Sequence, residues 1–80
     1  MQTYIATFFS HFGAIRFNKD LKAIGLSGKL MPVPRRVSSS CGTCVFYTAP
    51  DLCRNLLDED TERVYEVIDG AYTLVLDLEA

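Results

Sequence analysis

The residues of this 80-residue chain best suited to chemistry lie in one stretch, Ser38-Ser39-Ser40-Cys41-Gly42-Thr43-Cys44. Its two cysteines have CxxC spacing, which serves thiol–disulfide exchange or supplies half of a tetrahedral zinc site. Three serines and a glycine surround the first cysteine, a composition that forms a loop and lets backbone amides approach a side chain. Lys29, Arg35 and Arg36 precede the serines and keep the segment basic. A thiol acts as nucleophile in its ionised form, which positive potential favours. Cys41 is therefore the candidate nucleophilic thiol and Cys44 the candidate partner thiol that resolves a group bound to it. Ser38, Ser39, Ser40, Gly42, Arg35, Arg36 and His11 are the candidates to stabilise a thiolate, His11 because it follows Ser10 at the expected start of a helix.

Each of these residues also has a plainer reading. Cys44 opens a run of strong strand formers and serves equally as a small core residue. Cys53 shares a side with Leu52, Leu56 and Leu57 and is expected in the core. Ser38 to Ser40 form a polar turn, His11 a surface helix start, and Arg35 and Arg36 solvated charges. A zinc site needs four ligands, so Cys41 and Cys44 need Cys53, His11 or a second subunit's CxxC to complete one. A disulfide oxidoreductase is disfavoured, since the usual redox CxxC opens a helix and this one leads into a strand.

Hydrophobic residues make up 49% and charged residues 22% of the chain, a globular composition sufficient for one domain over residues 1–80. A core this small gains burial by self-association, so a homodimer is expected. Three cysteines suggest a reducing compartment, and Met1 to Phe9 lacks the positive start and long apolar run of a signal peptide; a cytoplasmic location follows as an expectation. No stretch has the length of a membrane span. Charge is divided: residues 1–40 hold six Lys/Arg and one acid, residues 41–80 two Lys/Arg and nine acids, for a net charge of −2. So little basic charge argues against nucleic acid as a partner. Phosphate loops, nucleophile elbows, metalloprotease motifs and internal repeats do not occur.

The elements that must position the cysteines can be read from periodicity. Residues 3–9 form a strand, and Ser10 caps a helix over residues 11–24 with Ala14, Phe17, Leu21 and Ile24 on one face and Gly25 as its stop. Residues 29–33 form an edge strand, because Pro32 cannot donate to a ladder. Residues 34–42 are loop and 44–48 a third strand. Pro50 starts a second helix carrying Leu52, Cys53, Leu56 and Leu57, which fades into Asp58-Glu59-Asp60. Residues 62–68 and 71–78 form a hairpin across Asp69-Gly70; a helix over 61–69 ended by Gly70 is the competing reading. The order is that of an α+β domain with the ferredoxin-like split βαββαβ pattern, an antiparallel sheet and a possible extra C-terminal strand. In this pattern the first two strands run the same way. The start of the first helix, with Ser10 and His11, then lies at the same end of the sheet as the Cys41 loop.

The stretch Lys29-Leu30-Met31-Pro32-Val33-Pro34-Arg35-Arg36-Val37-Ser38-Ser39-Ser40-Cys41-Gly42, with Tyr4-Ile5-Ala6-Thr7-Phe8 before the helix, resembles the selenium/sulfur carrier protein-like family over most of residues 3–48. The resemblance implies a short bacterial cytosolic protein of selenium or sulfur metabolism, with Cys41 as the matching cysteine. The chain departs from that pattern in its longer, more acidic tail over residues 58–80 and in Cys44, which leaves the role of Cys44 resting on spacing alone. The expectation is a non-catalytic carrier without a bound cofactor, holding a persulfide or selenosulfide on Cys41. It takes the atom from a cysteine desulfurase-like donor and passes it to an acceptor enzyme. The competing class is a CxxC zinc-binding or protein-interaction module.

Overall fold

The computed structural model describes residues 1–78. The chain forms strand β1 (Gln2–Phe8), helix α1 (His11–Ala23), strands β2 (Ser27–Pro32) and β3 (Thr43–Ala49), a single 3-10 turn (Arg54–Leu56), and strands β4 (Thr61–Ile68) and β5 (Ala71–Asp77). The strands make one antiparallel sheet in the order β2-β3-β1-β4-β5. It is an α+β domain dominated by its sheet.

Alternation along the strands decides what faces α1. Tyr4, Ala6 and Phe8 of β1, Val45 and Tyr47 of β3 and Val64 of β4 point to the helix and join its Ala14, Phe17 and Leu21 in one buried cluster. Aromatic rings occupy its centre. Phe17 stands edge-on to Tyr47 at 5.0 Å and tilted to Phe8 at 5.5 Å, and Tyr4 stacks on Tyr47 at 5.3 Å. Ser10 caps the helix as expected, its hydroxyl accepting the Gly13 N–H at 3.1 Å. Where β2 passes the helix there is little room: a Cβ on Gly28 would lie 2.9 Å from Leu21 Cδ1 and against Asn18 Oδ1, so both side chains would have to shift.

The opposite face has no helix, yet Ile5, Thr7 and Cys44 on it are fully buried. The segment between β2 and β3 supplies the cover. Val33 N–H bonds to Gly42 C=O at 3.1 Å and Val37 N–H to Pro34 C=O at 3.0 Å. Val37 is buried, while Pro34, Arg35 and Arg36 share a cavity with Gly70 and Tyr72 of the β4–β5 hairpin. The segment thus crosses the sheet rather than standing out from its end.

Three expectations are corrected. The second helix is replaced by one 3-10 turn, so the two-helix βαββαβ pattern is not completed. Asp51 is responsible in part: its carboxylate takes the Cys53 N–H at 2.8 Å, and Cys53 turns left-handed with φ 60°. Cys53, Leu56 and Leu57 have helical spacing, but a single turn suffices to bring Cys53 and Leu57 into the core. Ile24, expected on the buried face of the helix, is the C-cap residue and 56% exposed, because the chain leaves the helix there. The second strand begins at Ser27, not Lys29, since Ser27 and Gly28 already pair with Thr48 and Tyr47. The hairpin reading of the tail holds: Asp69 and Gly70 have φ of 50° and 79°, the geometry of the tight turn that this pair favours. Its second arm is the extra fifth strand.

Candidate functional site

β1 and β2 both run antiparallel to β3 between them, so the end of β1, the start of α1 and the Cys41 loop lie together. Three side-chain contacts fasten the loop there. Ser39 Oγ donates to Phe8 C=O at 3.3 Å, the last residue of β1. His11 Nδ1 and Thr43 Oγ1 lie 2.7 Å apart, joining the first residue of α1 to the first of β3. Ser40 donates its backbone N–H to Glu62 Oε1 at 2.9 Å and its hydroxyl to Glu62 Oε2 at 2.7 Å.

Cys41 is half-buried at the centre of these contacts. One side of it packs against the helix-side core. Its polar neighbours are Thr43 C=O, which takes the S–H at 3.4 Å, and the Ser39 hydroxyl at 4.0 Å. Cys44 lies in a different setting. Val45 points into the helix-side core, hence Cys44 points to the other face, where it is 0% exposed and its S–H reaches Pro32 C=O at 3.7 Å. Burial, and secondarily the charge that Cys41 can carry, push its thiol up to about 11.

The expected residues divide accordingly. Ser39, Ser40, Gly42 and Thr43 frame Cys41, with Gly42 at φ 76° in the turn that returns the chain to β3. His11 reaches the loop through Thr43. Ser38 is exposed, and Arg35 and Arg36 line the cavity with Gly70 and Tyr72. Cys53 is buried in the helix-side core, as its spacing indicated, and its thiol too is pushed up, chiefly by burial. No three His, Cys, Asp or Glu side chains converge as metal ligands among the described residues. Glu62 escaped the sequence reading. Its one sequence signal is a carboxylate two places before the core residue Val64, where alternation calls for another buried side chain.

Comparison with known proteins places this geometry in context. The family model described as "Putative Se/S carrier protein-like" matches residues 3–59, a span that includes the Cys41 loop, β1, α1 and β3 but ends before Glu62. The uncharacterized protein YtiA of Escherichia coli (strain K12) is 27% identical over 77 residues, covering 94% of this chain and 91% of that protein. No solved structure matches.

Proposed function

Because the chain belongs to the family described as "Putative Se/S carrier protein-like", we propose that it carries a sulfur or selenium atom on Cys41 between a cysteine desulfurase-like donor and an acceptor enzyme. The observation that carries this reading is the half-exposed Cys41 thiol on a loop fastened at Ser39 and Ser40. Such a loop presents a sulfur to a protein partner while its backbone stays in place. We further read the strand order β2-β3-β1-β4 as the ferredoxin-like arrangement, with the second helix reduced to a turn and β5 added at the edge.

The transfer balances without an external oxidant. Cys41 sulfur attacks the terminal sulfur of a donor persulfide, a new S–S bond forms as the donor's S–S bond breaks, and the Cys41 proton goes to the departing donor thiolate. Donor persulfide and carrier thiol become donor thiol and carrier persulfide; selenium in the terminal position gives a selenosulfide by the same step. Delivery is the reverse exchange onto an acceptor thiol. We assign Cys44 no part in it: its thiol is fully buried beside Pro32 C=O, and burial pushes it up to about 11.

Incubation with a cysteine desulfurase and cysteine, followed by whole-protein mass measurement, tests the reading. The native protein and Cys44→Ala gain one sulfur atom, and Cys41→Ser gains none. A gain retained in Cys41→Ser overturns it.

A further inference from the structure

The strand that carries Glu62 departs from regular pairing at that residue. β1 and β4 pair Thr7 with Arg63 and then Phe8 with Thr61, so Glu62 is the extra residue of a bulge. A bulge bends its strand and re-aims a side chain, and bulges recur beside working sites for that reason. Here the result is a carboxylate on a residue only 2% exposed. Burying a carboxylate is costly unless its oxygens are satisfied, and an apolar side chain would suit a position two before Val64. Both oxygens are satisfied by one residue, Ser40, through its amide and its hydroxyl. Ser40 immediately precedes Cys41.

The geometry points to Glu62 as the positioning residue of the carrier thiol: it latches the Cys41 loop to β4 through Ser40, and the latch decides how far the thiol is presented. The main-chain contact matters most, since it fixes the Ser39–Ser40 peptide, one residue before Cys41. The Ser39 hydroxyl, tied to Phe8 C=O, anchors the same stretch from β1. The sulfur is therefore held from two strands, β1 and β4, and against Thr43 C=O of a third. Glu62 does not touch the sulfur; its effect passes through the loop backbone. Arg63 and Asp77, 3.5 Å apart, are the charged pair that follows on β4 and β5. The inference rests on the carrier reading only in taking Cys41 as the working thiol.

The test reads the latch without any donor protein. Rates of Cys41 alkylation by iodoacetamide, located by peptide mass, are measured in the full chain for the native protein, Glu62→Gln, Ser40→Ala and the double variant, with amide exchange at residue 40 followed by NMR. Loss of the charge-assisted hydrogen bonds opens the loop and exposes the sulfur to attack, so Glu62→Gln is expected to alkylate about tenfold faster and to lose protection of the Ser40 amide. Ser40→Ala, which keeps the amide bond, is expected to gain less, and the double variant no more than Glu62→Gln alone. A Cys41 rate in folded Glu62→Gln within about twofold of native, or additive effects in the double variant, overturns the latch. Should Glu62→Gln fail to fold, an unchanged rate in folded Ser40→Ala overturns it equally. Sulfur loading from a desulfurase reports separately: a latch that fails while Cys41 still loads leaves the carrier reading standing.

Discussion

Cys41 and Cys44 are separated by two residues and differ in nearly everything that governs thiol chemistry. Cys41 sits on a loop, half-exposed, beside a hydroxyl and a carbonyl. Cys44 sits in β3, fully buried beneath the segment that crosses the open face of the sheet, with its thiol pushed up to about 11. Strand alternation causes the difference. Once Val45 is committed to the helix-side core, Cys44 must point the other way, whatever its spacing from Cys41. A CxxC motif is a pair of cooperating thiols only where the backbone turns both toward one place, as a helix start does and a loop running into a strand does not.

The largest expected effect tests that contrast directly. At neutral pH a thiol titrating near 11 holds about a hundredfold less thiolate than an ordinary free cysteine, and burial slows attack further. Alkylation of the native protein is therefore expected to label Cys41 first, with Cys44 labelled only on unfolding. Peptide mapping after a time course of iodoacetamide measures this; comparable rates at the two positions would erase the distinction.

Stability should separate the same two residues by a smaller margin. Cys44→Ser places a hydroxyl in a fully buried site and is expected to cost about 1–3 kcal/mol, against roughly 0.5 kcal/mol or less for Cys41→Ser, both read from urea midpoints. Alkaline titration adds a sign. Cys44 ionises at 9.0 in the unfolded chain but near 11 when folded, so the folded state holds its proton more tightly. Its contribution is complete below pH 9 and is lost as pH rises through about 11, on the order of 3 kcal/mol in all. Tyr47 and Tyr4, also raised mainly by burial, act in the same direction. The fall in stability between pH 9 and 11 should be shallower in Cys44→Ala than in the native protein, and equal slopes would remove Cys44 from the account.

What could be read from the sequence was whatever local rules determine. Ser10 caps a helix, Asp69-Gly70 closes a hairpin, and Pro32 confines its strand to an edge; each is set by the conformational limits of one or two residues, and each is found. The meeting of His11 with the loop followed from strand direction alone. Other features depend on partners distant in sequence. The apolar spacing of Cys53, Leu56 and Leu57 fits a helix and a single turn equally well, and the Asp51 cap decided for the turn. Glu62 looked like one acid in an acidic tail. Only the bulge opposite Thr7 and Phe8 buries it against Ser40, and a bulge leaves no local signature in the residues that form it.

The smallest expected effect concerns Arg35 and Arg36, which sequence places next to the serines. They belong to the crossing segment, and the cavity they line is shared with Gly70 and Tyr72 near the hairpin turn. β4 runs from Thr61, beside the end of β1, to Ile68, beside Gly70, so that turn lies at the opposite end of the sheet from Phe8 and the Cys41 loop. Exposed charges at such a separation are screened by salt. Arg35→Ala and Arg36→Ala should each change the Cys41 alkylation rate by less than about twofold at physiological ionic strength, and should remain indistinguishable from native as salt is raised. A larger drop that salt abolishes would bring the guanidinium groups back to the thiol and make the basic segment, rather than the strand-held loop, the source of its reactivity.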